Sequence, residues 1–204
     1  MFIKLMFSIV LVVSLTGCFS RSSYQTADTL NQGEFEIGAG VTLIKSTAEV
    51  AGEYDKNKAT TYISPELLLR FGLVNNLDLG LKATGAGAEL DFKFRFLSFG
   101  DETNRFSFAI RPFISADFED DIEVNKAGAS LLISKKVSKT VSFYLVGNYH
   151  PIKKLHLDDK TSDFSGVLGV SINSKHFWFR PELVISDLNS ELVIFPGIGM
   201  GFTY

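Results

Sequence analysis

Hydrophobic and polar side chains alternate along most of this chain. In the stretch 88–97, apolar side chains occupy every second position and charged side chains occupy the positions between them. The apolar positions are Leu90, Phe92, Phe94 and Phe96, and the charged positions are Glu89, Asp91, Lys93 and Arg95. Successive side chains of a β-strand point to opposite faces, so this pattern predicts a strand with one apolar and one polar face.

About ten segments share this period of two. We predict strands at 33–45, 61–72, 77–85, 88–98, 105–117, 126–137, 141–151, 164–173, 176–187 and 192–204. Most of these segments are close in length to the roughly 9–11 residues that a tilted strand needs to cross a bilayer. Strands of soluble domains are usually about five or six residues long. The lengths therefore favour strands that span a membrane.

The connections between the segments differ at the two ends of the predicted strands. Those after the second, fourth, sixth and eighth segments are short and polar, whereas 46–60 and 152–163 are long. Short turns at one end and longer loops at the other are typical of bacterial transmembrane barrels. We therefore predict an all-β fold, a single antiparallel up-and-down transmembrane β-barrel of about ten strands, within a range of about eight to twelve.

The charged positions indicate what fills the barrel. A transmembrane barrel turns its apolar face to lipid and its polar face to the lumen, and unpaired charges in a narrow lumen are costly. We therefore predict a lumen charge ladder formed by Glu66, Arg70, Lys82, Glu89, Asp91, Lys93, Arg95, Arg111, Arg180 and Glu182. Leu68, Phe113, Val167 and Trp178 share the inward phase, where we interpret them as interior packing.

Two features test this interpretation. Aromatic residues collect near the predicted strand ends, as membrane-interface girdles do. Four prolines, Pro65, Pro112, Pro181 and Pro196, lie inside predicted strands on the outward phase, and we expect bulges or rim positions there because proline cannot donate to the ladder. The alternative is a soluble periplasmic barrel that turns its apolar face inward around a hydrophobic ligand.

The first residues have the features of an export signal. Lys4 precedes a short apolar run, 5–15, which is too short to span a bilayer. The sequence Leu15-Thr16-Gly17-Cys18 resembles the lipobox of bacterial lipoproteins. The resemblance implies cleavage between Gly17 and Cys18 and a diacylglyceryl group on Cys18; the alternative is a cleaved signal with an incidental cysteine.

These features divide the chain into three parts. We predict a lipoprotein signal peptide at 1–17, a lipidated N-terminus and tether at 18–32, and a β-barrel domain at 33–204. The Ser- and Thr-bearing stretch 19–32 has the composition of a flexible tether. The chain ends on Phe202 and Tyr204 with apolar residues at alternate positions before them. This end resembles the terminal signal that outer-membrane barrels present to their insertion machinery.

Together the two resemblances imply an integral, lipid-anchored location in the bacterial outer membrane. The implied partners are outer-membrane lipid, the lipoprotein-processing machinery and the barrel-insertion machinery. The chain has 20 Lys and Arg against 23 Asp and Glu, without the basic face of a nucleic-acid binder. A lipidated Cys18, the only cysteine, leaves no thiol for a disulfide or a thiolate metal site. We predict no cofactor, no metal and no nucleic-acid partner.

One histidine is a candidate catalytic base. His150 lies on the inward phase at the outer rim, and the neighbouring loops carry His156, Asp158, Asp159, Glu119, Asp120 and Asp121. A histidine beside carboxylates at a barrel mouth resembles omptin proteases, and a His/Ser pair resembles outer-membrane lipases and lipid A deacylases. No local motif of either family is present, so we interpret these residues as solvated loop charges. The run 117–121 lacks the glycine and spacing of a calcium loop.

The predicted function is a non-enzymatic envelope or surface role, such as adhesion, envelope integrity or partner binding. Three alternatives stay open: a barrel enzyme acting on envelope lipid or peptide with His150 as base, a small passive channel, and the soluble barrel described above. Because narrow barrels leave room only for side chains or one small ligand, a plugged interior is favoured over a conducting channel.

Overall fold

Ten antiparallel strands follow one another along the described chain and close into a barrel. The structure, a computed structural model, describes residues 22–47, 59–85, 87–117, 123–152, 161–188 and 191–204. Its strands are β1 (Phe35–Thr47), β2 (Ala59–Val74), β3 (Leu77–Thr84), β4 (Gly87–Gly100), β5 (Arg105–Asp117), β6 (Glu123–Lys136), β7 (Val141–Ile152), β8 (Thr161–Asn173), β9 (Phe177–Leu188) and β10 (Glu191–Thr203). Each strand pairs with its sequence neighbours, and β1 pairs with β10 to close the ring. The predicted fold is confirmed.

The two ends of the barrel have connections of different length. At one end, here called the turn end, the connections after β2, β4, β6 and β8 comprise two, four, four and three residues. At the other, here called the loop end, the connections after β1, β5 and β7 comprise eleven, five and eight residues. The connections after β3 and β9 also lie at the loop end, but they comprise only two residues each. These two hairpins therefore depart from the pattern of longer connections at that end.

The outer face of the barrel is apolar. Thirty large hydrophobic side chains of the described residues are exposed, among them Leu69, Phe92, Ile110, Leu145 and Met200. On β10 the outward positions run from Ile194 to Tyr204, which at ~3.3 Å per residue and a tilt near 40° covers about 25 Å of height. That height matches the apolar band of a transmembrane barrel. The soluble alternative, with its apolar face inward, is contradicted.

The four strand prolines lie on the outward phase, as predicted. Contrary to our expectation of bulges, none of the described register shifts lies at Pro65, Pro112, Pro181 or Pro196. Each proline instead pairs with one neighbouring strand, and the ladder to the other neighbour is interrupted or has ended there. Because proline has no N–H, a position with a ladder on only one side suits it.

The predicted tether needs correction, because its described part lies inside the barrel. Residues 22–27 are buried in the lumen. At the turn end the chain turns through Gly33, whose φ of 83° is the left-handed conformation that glycine adopts without cost. The Gly33 amide donates to the carbonyl of Gly72 at 2.9 Å, and β1 begins two residues later. We call residues 22–32 the plug.

Among the described residues, no helix is long and apolar enough to cross a membrane.

Candidate functional site

The centre of the site is a carboxylate on β9 that binds the main chain of the plug. Glu182 accepts hydrogen bonds from the amides of Ser23, at 3.0 Å, and Tyr24. Tyr24 has a φ of 46°, and successive amides around a left-handed residue form a small concave anion site, or nest. The hydroxyl of Tyr144 donates to the same carboxylate at 2.7 Å. The buried charge of Glu182 is therefore stabilised by three donors.

Cations of the wall bind the carbonyl groups of the plug. Lys82 donates to the carbonyl of Ser22 at 3.1 Å, and Arg180 donates to the carbonyl of Tyr24 at 2.6 Å. Further toward the turn end, Lys93 donates to the carbonyl of Thr26 at 3.2 Å. Buried backbone groups need hydrogen-bond partners, and in this lumen the charged wall supplies them for a segment that has no regular structure of its own.

The Tyr24 ring occupies a slot made of glycine. On the inward face of the β1–β10 seam, a Cβ built on Gly40 would clash with the ring, and one built on Gly199 would lie 2.7 Å from it. The hydroxyl lies 2.9 Å from both the carbonyl of Val41, to which it donates, and the hydroxyl of Thr42. A non-glycine residue in the left-handed region costs about 1–2 kcal/mol, which this close packing and the Glu182 contact offset.

Two side chains fix the ends of the buried part of the plug. The hydroxyl of Ser22 lies 2.5 and 2.6 Å from the two carboxylate oxygens of Glu66. At the turn end, Asp28 accepts hydrogen bonds at 2.8 Å from both Arg105 and Ser107. Beyond it, the amide of Leu30 donates to Asp78 at 3.0 Å. The plug is thus held at several levels of the lumen.

Nine of the ten residues predicted for the lumen charge ladder are buried, and Arg95 is half-buried. Arg70 contacts Asp91 at 2.6 Å, and Arg111 contacts Glu89 at 3.3 Å. Among the described residues, six buried carboxylates accompany five buried cations; the two that the prediction lacks are Glu36 and Asp78. Glu36 forms a two-pronged contact with Arg180, with both distances 3.0 Å.

The ladder is not purely a set of ion pairs between strands, because part of it binds the plug. Among the ladder residues, Glu66, Lys82, Lys93, Arg180 and Glu182 all contact plug atoms. The sequence pattern predicted these wall residues, but it did not predict that they bind the plug. The available signal was the row of inward glycines on β1 and β10, which leaves a groove that some other part of the protein has to fill.

Apolar side chains fill part of the lumen between the polar ones. Leu132, Tyr144, Val146, Val167 and Phe195 belong to one buried cluster, to which Ala27 of the plug contributes. Leu68 and Trp178 pack with Tyr24 in a second cluster. The guanidinium of Arg180 lies 4.2 Å from the centre of the Trp178 ring. The predicted interior packing therefore includes contacts with the plug.

Free space in the lumen is distributed unevenly. At the turn end an open cavity of about 400 Å³ is lined by charged residues that include Asp28, Lys93, Arg105 and Lys175. Beside Tyr24, against β2 and β3, a pocket of about 10 Å³ lies between the plug and the wall, close to the space of a single water molecule. The plug therefore constricts the lumen at its middle.

The other predicted site residues lie either outside the described part of the chain or away from this centre. Gly17, Cys18, His156, Asp158, Asp159 and the run 118–121 lie outside the described residues. The backbone of His150 pairs with Asp163, but its side chain lies outside the described part. Phe202 and Tyr204 lie on the outer face at the turn end, with ring centres 6.4 Å apart. His176 is exposed at the turn end, 3.3 Å from the carbonyl of Thr203. No group of three or more potential metal ligands occurs in the described part of the chain.

Comparisons with known proteins return only distant similarity. No protein-family model matches this chain, and none of the curated proteins does. Among solved structures, that of Ail, the attachment invasion locus protein of Yersinia pestis, in complex with the heparin analogue sucrose octasulfate is 14% identical over 85% of this chain and 99% of that chain, with a TM-score of 0.36. The outer membrane protein OprG from Pseudomonas aeruginosa is 11% identical over 88% of this chain and 99% of that chain, with a TM-score of 0.30. Scores of this size say nothing about function.

Proposed function

We propose that this protein is an integral β-barrel of the bacterial outer membrane with a closed lumen and a non-enzymatic role at the cell surface or in the envelope. The observation that carries the proposal is the combination of an apolar outer face with a lumen filled by its own plug. The outer face requires lipid. The pocket beside Tyr24 measures about 10 Å³, which is too small for a substrate larger than water.

Integral insertion follows from the exterior and is independent of any lipid anchor. Exposed apolar patches on soluble monomers rarely exceed a few hundred Å², whereas here every strand contributes large apolar side chains to the outside. After replacement of Cys18 by Ser, the barrel should stay in the membrane fraction during carbonate or urea extraction. Its release would contradict the proposal and point to a tethered soluble protein.

The surface role rests on the loop end. The connections 48–58 and 153–160 are the longest of the barrel, and long loops on a rigid scaffold commonly carry binding functions. Adhesion, envelope integrity and partner binding all fit this arrangement. Protease treatment of intact cells should cut these two loops and leave the turns at the other end intact. Complete protection of both loops would contradict a surface role.

We also propose that Cys18 is lipidated, on the strength of the lipobox-like sequence that precedes it. Metabolic labelling with radioactive palmitate should mark the wild-type chain and not the Cys18→Ala variant. Absence of label in the wild type would contradict lipidation of Cys18, whereas the proposal of an integral barrel would be unaffected.

A further inference from the structure

The plug has a defined direction inside the barrel. Its C-terminal part lies at the turn end, where the amide of Leu30 contacts Asp78, the second residue of β3. Tyr24 lies at the middle, against Gly40 and Gly199. Ser22, the first described residue, contacts Glu66, which pairs with the last residue of β3, Thr84. The chain therefore runs from the loop end to the turn end before it enters β1.

On the side of the barrel where Ser22 lies, the wall extends less far toward the loop end. β3 has only 8 residues, and it connects to β4 through positions 85 and 86. On its other side β2 continues past Glu66 toward the loop end, as far as Ala59. Lys82, which binds the carbonyl of Ser22, is two residues from the end of β3. The N-terminal end of the plug thus lies at the level of the β3–β4 rim.

Chain length decides which end of the barrel Cys18 can reach. Ser22 is four positions after Cys18 in the sequence, so the two Cα atoms are at most about 14 Å apart. From the level of Glu66 to the turn that follows β2, the axial distance is about 23 Å at a rise of ~3.3 Å per residue and a tilt near 40°. The plug also occupies that path. A route back to the turn end is therefore too long and blocked.

We propose that the chain is threaded through its own barrel, so that the residues preceding Ser22, with Cys18, leave at the loop end. The threading rests on the described plug alone. If Cys18 is lipidated, which is the part that rests on the proposed function, its acyl chains enter the leaflet at the loop end, the outer leaflet. Under this proposal the loop end carries the N-terminal segment that precedes Ser22 in addition to its loops.

Cysteine accessibility tests the threading in the full-length protein in its native membrane. A cysteine is introduced at position 20 (Ser20→Cys), with Cys18 intact and again in a Cys18→Ala background. Two controls carry one cysteine at each end of the barrel: Asn57→Cys in the long loop after β1, and Ser138→Cys in the turn after β6, where Ser138 is partly exposed. Intact and permeabilised cells are treated with a biotinylated maleimide too large for porins.

We expect Ser20→Cys to label in intact cells to within about twofold of Asn57→Cys, while Ser138→Cys labels only after permeabilisation. Labelling of position 20 only under the conditions that label position 138 would overturn the threading. Protection of position 20 under both conditions, with both controls reactive, would overturn it as well. Labelling of Cys18 itself in the wild type would show a free thiol and so contradict lipidation, without contradicting the threading. Failure of the lipid anchor and failure of the threading are therefore distinguishable.

Discussion

Tyr24 lies so close to Gly199 that position 199 has no room for a side chain. A Cβ there would lie 2.7 Å from the Cδ1 and Cγ atoms of the ring. Gly40, the cross-strand neighbour of Gly199, meets the ring from the adjacent strand. The plug and the β1–β10 seam are thus complementary in shape, with glycine in the wall and an aromatic ring in the plug.

Substitution of this glycine should loosen the plug. In Gly199→Ala the added methyl group has to displace the Tyr24 ring, and overpacking of this kind costs about 1–3 kcal/mol. Gly147 on β7 is the matched control, because a Cβ built there meets no atom within 4 Å. Gly147→Ala should change stability by less than about 1 kcal/mol. Urea-induced unfolding of both variants in lipid vesicles measures the difference; equal stabilities would contradict the slot.

The alternation along the chain predicted the strands well, because a one-residue slip would turn every side chain to the wrong face. The predicted segment 105–117 coincides with β5 (Arg105–Asp117), and most other bounds differ by one to three residues. The orientation was also predictable, because continuous apolar faces such as Phe106, Phe108 and Ile110 have no place in a narrow charged lumen. The local alternation of apolar and polar residues therefore predicted most of the barrel.

The plug was not predictable in the same way. Residues 22–32 have no period, and their Ser, Thr and Gln content is that of a linker. Their fixed position comes from long-range contacts, such as Ser23 with Glu182, residues 159 positions apart. The excess of inward glycines at 38, 40, 197, 199 and 201 was visible in the sequence. Only the three-dimensional structure shows that Gly40, Gly197 and Gly199 face the Tyr24 ring, and that Gly38 and Gly201 face the Trp178 ring.

The ring and the hydroxyl of Tyr24 should contribute unequally. Tyr24→Phe keeps the ring in its slot and removes the hydrogen bonds to Val41 and Thr42, at a cost of about 1 kcal/mol. Tyr24→Ala empties the slot and should cost about 3–5 kcal/mol, as for other buried aromatic truncations. Urea unfolding measured side by side gives the ratio. Similar losses for both variants would show that the hydroxyl, not the shape of the slot, holds the residue.

Asp101 should titrate below the usual range of an aspartate. In the turn after β4, hydrogen bonds from the hydroxyl of Thr103 at 2.7 Å, then from the amides of Thr103 and Asn104 at 2.8 Å, lower the pKa of its carboxyl group from 3.8. A lowered pKa means that the charged form stabilises the fold above pH 3.8, and that this contribution is lost as the pH falls through the folded-state pKa. An NMR titration of the Asp101 carboxyl carbon reports the value directly.

The matching variant is Asp101→Ala. Its stability deficit relative to wild type should be largest near neutral pH and should shrink on acidification below the ordinary aspartate pKa. A deficit that stays constant from neutral pH to strongly acidic solution would mean that the turn depends on the shape of the side chain and not on its charge.

Loss of the Glu182 charge should open the lumen intermittently. In Glu182→Gln the new amide group can offer one oxygen and an NH2 group to a site built from three donors, Ser23, Tyr24 and Tyr144. At least one donor loses its partner or faces another donor, at a cost of about 1–3 kcal/mol. Because these bonds hold the narrowest level of the plug, planar-bilayer recordings should show brief conductance steps that the wild type lacks.

Glu89→Gln provides the matched control for this conductance. Glu89 is also a buried lumen carboxylate, at 2% exposure, but its contacts in the described part of the chain are with Arg111 and Lys82 of the wall. The Glu89→Gln substitution removes the same charge without removing a contact to the plug, so the recordings should show no conductance steps. Equal conductance in both variants would mean that lumen charge, and not the hold on the plug, keeps the barrel closed. Silence in both would mean that the remaining contacts, from Lys82, Arg180 and Lys93 to the plug carbonyls, suffice to keep it seated.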